Sequence, residues 1–89
     1  MKSVTTNRFR QALQQLPEKI QIKARTTYQV WKENPQHPSL SFKQIHSRDP
    51  IYSVRIGIAY RALGVLNENT MIWFWIGSHE DYSKLIKAL

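Results

Sequence analysis

Cysteine is absent from this 89-residue chain, which excludes a disulfide framework and any thiolate chemistry and suits a reducing cytosol. Glycine is nearly as scarce. Gly57, Gly64 and Gly77 stand far apart, so no glycine-rich phosphate loop can form. The amino-terminal stretch MKSVTTNRFRQALQQL has no apolar leader segment. The longest apolar run, Met71 to Ile76, falls far short of the roughly 20 residues that cross a bilayer. A soluble, cytoplasmic protein without a membrane partner is expected. His37, His46 and His79 lack the close pairing of a zinc site, and no serine sits in a nucleophile-elbow pattern. Neither a metal nor another cofactor is expected. Acidic residues are also few, with six Asp plus Glu against thirteen Lys plus Arg and a formal net charge of +7. That excess favours a polyanionic partner such as RNA, DNA or an acidic protein, the competing reading being a basic domain with no nucleic-acid role.

What is present suffices for one domain over residues 1–89 with a small core. Hydrophobic residues make up 42% of the chain and include three Trp, four Tyr and three Phe. Thr5 or Thr6 can cap a first helix in which Phe9, Leu13 and Leu16 share a face. Pro17 is placed to open a second helix, with Glu18 in its first turn. Along it Ile20, Ala24, Thr27 and Trp31 form a packing stripe, with Lys19, Lys23 and Lys32 off it, until Asn34-Pro35-Gln36-His37-Pro38 stops the helix. The period then changes. Ser39 to His46 alternates loosely, and a turn follows at Ser47-Arg48-Asp49-Pro50. Tyr52, Val54 and Ile56 alternate cleanly with Ser53 and Arg55. Gly57 opens a turn, and a strand runs from Tyr60 to Leu66. After Asn67-Glu68-Asn69 comes MIWFWIGS, apolar on both faces and therefore expected inside the sheet. A closing helix, Asp81 to Leu89, is expected to turn Leu85, Ile86 and Leu89 inward. The fold class is α+β: an amino-terminal helical hairpin packed on a mainly antiparallel four-stranded sheet, with a carboxy-terminal helix and the far face partly open.

If the hairpin covers the face of Tyr52, Val54 and Ile56, period-two alternation sends Ser53 and Arg55 to the other side. Arg61 can join them, and MIWFWIGS delivers His79 and Tyr82 to the same end of the sheet. No acidic residue falls between Asp49 and Glu68 to neutralise Arg55 and Arg61. These groups suit cleavage of RNA by internal transesterification, in which the ribose 2′-hydroxyl attacks the adjacent phosphate and the 5′-oxygen leaves. A permanently charged arginine fork stabilises the phosphate, and imidazoles, which titrate near neutral pH, move protons. The candidate catalytic residues are thus Arg61, His79, Arg55 and Tyr82, with Lys43, His46, Arg48 and Ser53 as RNA-binding candidates. Each has a plainer alternative. Arg55 can be a solvated strand residue, Arg61 a partner of Glu68 or Asp49, His79 a helix cap and Tyr82 a packing residue. Lys43 and His46 can be edge charges that limit aggregation. Trp73 and Trp75 read as core residues in preference to stacking platforms.

The order of elements, with YSVRIGIAYRALGVL followed by WFWIGSHEDY, resembles the RelE/ParE superfamily of toxins from bacterial type II toxin-antitoxin systems. The matching features are an aromatic-x-aliphatic-basic strand leading to Tyr60-Arg61, then Ile76-Gly77-Ser78-His79 to Tyr82. The resemblance implies a toxin held inactive by a cognate acidic antitoxin. In the RelE branch such toxins are metal-independent endoribonucleases, or mRNA interferases, that cleave mRNA on the ribosome and so inhibit translation. The ParE branch instead poisons DNA gyrase without catalysis. By position, Arg61 matches the family's Tyr-Arg arginine, Arg55 a basic strand residue, His79 the basic residue after the glycine and Tyr82 the terminal tyrosine. Some ribonuclease members carry two lysines on the strand where this chain has Ser53 and Arg55, which leaves His79 or His46 as the general base. The His and Tyr residues favour the ribonuclease branch.

Overall fold

In the computed structural model, which covers residues 1–89, the chain begins as a strand and not as a helix. β1 (Lys2–Thr5) precedes α1 (Asn7–Gln14) and α2 (Glu18–Glu33). A 3₁₀ turn over Pro38–Leu40 then leads to β2 (Lys43–Gln44), β3 (Ile51–Ile56), β4 (Tyr60–Asn67), β5 (Thr70–Ser78) and α3 (His79–Lys87). The sheet has five strands in the order β1-β5-β4-β3-β2. β1 runs parallel to β5 and the other neighbours are antiparallel. The expected four-stranded sheet is therefore a five-stranded mixed one. Nothing in the local sequence Lys2-Ser3-Val4-Thr5 demands a strand. It becomes one by pairing with β5, and Lys2 N–H to Asn69 O and Thr6 N–H to Trp73 O close the two ends of that ladder.

The helices start where their caps allow. Thr6 Oγ1 accepts the Phe9 N–H at 3.1 Å. Pro17 stands one residue before α2, its carbonyl accepting from Ile20 N–H and Gln21 N–H. The hydroxyls of Ser3 and Tyr28 are hydrogen-bonded and tie β1 to α2. Trp31, 2% exposed, is the centre of the core. It meets Trp73 edge-on at 5.3 Å and Phe42 at 5.9 Å, and stacks with Tyr28 at 6.2 Å. Val54, Ile56, Ala62, Met71, Trp73 and Ile76 supply the sheet side of this core. An apolar cavity of about 180 Å³ remains under the hairpin, lined among others by Phe9, Leu13, Ala24, Trp31 and Trp73.

Two expected elements are corrected. The strand over Ser39 to His46 shrinks to Lys43–Gln44, because His37 Nδ1 caps a 3₁₀ turn by accepting the Ser39 N–H at 3.2 Å, and Ser41 then adopts φ 44°. The closing helix starts at His79 because Ser78 Oγ accepts the Asp81 N–H at 3.1 Å. It presents Tyr82 inward, while Ile86 and Leu89 are exposed. The spacing of the last leucine would suit the inner face, but the helix ends at Lys87 before reaching it.

The β4–β5 hairpin turns on Glu68 and Asn69, both with positive φ, 48° and 67°. Such a turn matches the twist of the flanking strands, and asparagine or glycine adopts it at less cost than glutamate. Glu68→Asn is expected to stabilise the protein by about 0.5–1 kcal/mol, read as a melting temperature higher by a few degrees with the fold unchanged.

Candidate functional site

The helical hairpin covers one face of the sheet, and the candidate residues gather on the other at the carboxyl end of β5. The register makes this so. Arg55 on β3 lies directly opposite Arg61 on β4, which lies opposite Gly77 on β5, so the three share the face turned away from the core. Ser53 and Leu63 share that face one pair further along. α3 folds back across it and lays Tyr82 over Ser53.

Arg61 is the focus. Its guanidinium carbon lies 5.2 Å from the Tyr82 ring centroid, within cation–π range. Its Nε and Nη1 atoms are buried and have no hydrogen-bond partner. Neither Glu68 nor Asp49 reaches it, since Asp49 lies beside His46 and the Lys or Arg ion pair of the protein is Lys84–Glu80. The pairing that sequence allowed for Arg61 is therefore not made. Arg55, exposed and facing Arg61 across the ladder, has no carboxylate either, although like charges directly opposite one another repel.

His79 is exposed at the first position of α3, its ring centroid 5.8 Å from that of Tyr82. Its backbone N–H donates to Ala59 O at 2.7 Å, which fixes the start of α3 against the β3–β4 turn. Ser78, not His79, is the helix cap, so the imidazole is left for other work. The guanidinium of Arg61 and the imidazole of His79 thus flank one phenol ring.

Tyr82 is 5% exposed and its hydroxyl donates to Ser53 Oγ at 3.4 Å. It is not placed to give a proton to a substrate. Its ring instead packs beside Arg61 and His79. Ser53 is wholly buried beneath it, so it cannot contact RNA directly; it holds Tyr82. Lys43 is exposed on the same side as the register partner of Ser53, diagonal to Arg55, and extends the basic row to the sheet edge.

His46 and Arg48 lie elsewhere. They belong to the turn before Ile51, about 13 Å along β3 from the level of Arg55 at about 3.3 Å per residue. His46 Nδ1 accepts the N–H groups of Asp49 at 2.9 Å and Arg48 at 3.3 Å, so this ring is used to shape the turn. His37 is similarly used at the 3₁₀ turn. Of the three histidines only His79 stands in the cluster. No group of three metal-ligating side chains gathers in the protein.

The fold is that of RelE-type toxins. A chain of the RelB–RelE antitoxin–toxin complex of Methanococcus jannaschii superposes with a TM-score of 0.73 at 17% identity, covering 92% of this chain and 96% of that one. YafQ of E. coli gives a TM-score of 0.73 at 8% identity, covering 91% and 96%. The isolated E. coli RelE toxin gives 0.66 at 13% identity, covering 98% and 96%. No curated protein matches the chain in sequence. The ParE-like toxin domain matches residues 18–84, three quarters of the chain and all of Arg55, Arg61, His79 and Tyr82. The chain belongs to that family of toxins, within the RelE/ParE superfamily.

Proposed function

We propose that this protein is the toxin of a toxin–antitoxin pair and acts in the cytoplasm as a metal-independent, ribosome-dependent mRNA endonuclease. The observation that carries this reading is Arg61, a guanidinium held on the Tyr82 ring with Nε and Nη1 unpartnered, with His79 against the same ring. In the reaction the ribose 2′-oxygen bonds to the neighbouring phosphorus and the bond from phosphorus to the 5′-oxygen breaks. The products are a 2′,3′-cyclic phosphate and a free 5′-hydroxyl. Arg61, with Arg55, stabilises the extra negative charge on the phosphate as the new bond forms. His79 carries one of the two protons that move, from the 2′-hydroxyl or to the 5′-oxygen. The Tyr82 hydroxyl is tied to Ser53, so no second protein group of the cluster carries the other. A substrate held and aligned by the ribosome, with water or ribosomal groups completing the proton transfer, agrees with so sparse a site.

The excess of basic residues suits an acidic antitoxin that folds as it covers the Arg55–Arg61 face. A second reading, inhibition of DNA gyrase by binding alone, is favoured by the ParE-like family match. One pair of measurements separates the two. The nuclease is expected to cut translated mRNA in the presence of EDTA, seen as discrete stops in primer extension after brief expression. His79→Ala should slow this by about 10²–10⁴-fold, the usual contribution of a positioned acid or base. Intact mRNA together with early induction of the DNA-damage response would replace the nuclease with the gyrase inhibitor.

A further inference from the structure

Strict alternation along β5 would place Met71, Trp73, Trp75 and Gly77 on one face. The register departs from it. Trp73 lies opposite Gly64 while Trp75 lies opposite Leu63, the adjacent residue of β4, so Phe74 is an inserted residue and the faces exchange beyond it. Trp73 consequently faces the helices and is 3% exposed, whereas Trp75 faces the Arg61 side and is only half-buried. Trp75 joins none of the aromatic pairs that build the core. Its six-membered ring lies across Gly77, where a Cβ atom would stand 2.7 Å from Cζ2 and 2.9 Å from Cη2. Gly77 is the cross-strand partner of Arg61. The bulge takes a tryptophan out of the core, and the missing side chain at Gly77, opposite Arg61, leaves room for its ring.

We propose that Trp75 is the base-binding residue of the RNA site, stacking on the nucleobase next to the phosphate held by Arg61. This rests on the nuclease reading above. Contacts to phosphate position a strand, and an aromatic platform grips the base beside it with little preference for sequence because every base has a π-face. An indole over the cross-strand partner of an arginine that has no internal acceptor offers both kinds of contact to one nucleotide.

The test uses purified protein, ribosomes and a short mRNA, with cleavage rate followed against substrate concentration. Trp75→Phe should remain within about 3-fold of wild type, while Trp75→Leu, which keeps apolar bulk but has no π-face, should raise the half-saturating concentration by about 5- to 150-fold at nearly unchanged maximal rate. A melting curve for each variant checks that the fold is retained. A second arm needs no variant. mRNAs with a single abasic nucleotide on either side of the cleaved linkage are offered to the wild type, and one of them should weaken binding as much as Trp75→Leu does, with no further loss when the two are combined. Wild-type kinetics from Trp75→Leu, or undiminished binding of both abasic mRNAs, overturns the stacking role while leaving the nuclease standing. A wild-type protein that cleaves no RNA overturns both.

Discussion

Arg61→Met is expected to give a protein that melts at a higher temperature than the wild type and no longer cleaves RNA. The wild-type guanidinium is stacked on Tyr82, faces Arg55 across the ladder and keeps Nε and Nη1 buried without an acceptor. A buried donor left unpaired costs about 1–3 kcal/mol. Methionine preserves an unbranched apolar stem and a favourable sulfur contact with the tyrosine ring, while removing both the unpaired donors and the repulsion from Arg55. A gain of about 1 kcal/mol would raise the melting temperature of a domain this size by roughly 4–8 °C. Activity should move the other way, falling about 10²–10³-fold as when one charge-stabilising donor is removed from an active site. Arg61→Lys retains charge without the planar fork and should recover only part of that loss. Calorimetry and the mRNA cleavage assay on the same preparations decide the matter. A variant that melts lower and still cuts would mean that Arg61 is a structural residue.

Trp31→Ala should remove most of the stability. Trp31 is 2% exposed and is the ring on which Tyr28, Phe42 and Trp73 converge. Truncating a buried tryptophan costs about 3–5 kcal/mol, against a total of about 5–15 kcal/mol for a typical domain. The cavity already present beside it would enlarge, and α2 would lose its main anchor to the sheet. Trp31→Phe should lose less, because it keeps much of the ring and discards an indole N–H that has no partner. Urea midpoints rank the three proteins. In contrast to Arg61→Met, both stability and cleavage are expected to fall in Trp31→Ala, and a midpoint close to wild type would show that the core is not organised around this ring.

Much of the frame was legible because its signals are local. The stripe Ile20, Ala24, Thr27 and Trp31 reads as one face at helical spacing, and α2 buries that face with Lys19, Lys23 and Lys32 exposed. Val54 and Ile56 alternate with Ser53 and Arg55 at the period of a strand, and β3 turns them to opposite faces. The turn at Asn67-Glu68-Asn69 joins neighbouring antiparallel strands. β1 was not legible because four residues with little apolar character form a strand only when β5, at the far end of the chain, offers an edge. By sequence Ser53 is an RNA-binding candidate and Tyr82 a catalytic one, with packing the plainer alternative for Tyr82; their burial depends on α3 folding back over β3, a contact between residues distant in the chain. The basic character of His46 suggests an RNA contact, whereas the fold uses its ring nitrogen to hold a turn.

The sequence alone determined the excess of positive charge, the helical and strand periods, and the absence of any acid between Asp49 and Glu68, because each is a property of neighbouring residues. Only the tertiary structure decided that Arg61 has no internal acceptor, that Arg61 and His79 flank the same tyrosine, and that Trp73 and Trp75 part to opposite faces. Those outcomes depend on strand register and on where a helix returns across the sheet. Both are set by packing between residues far apart in the chain, which no local pattern encodes.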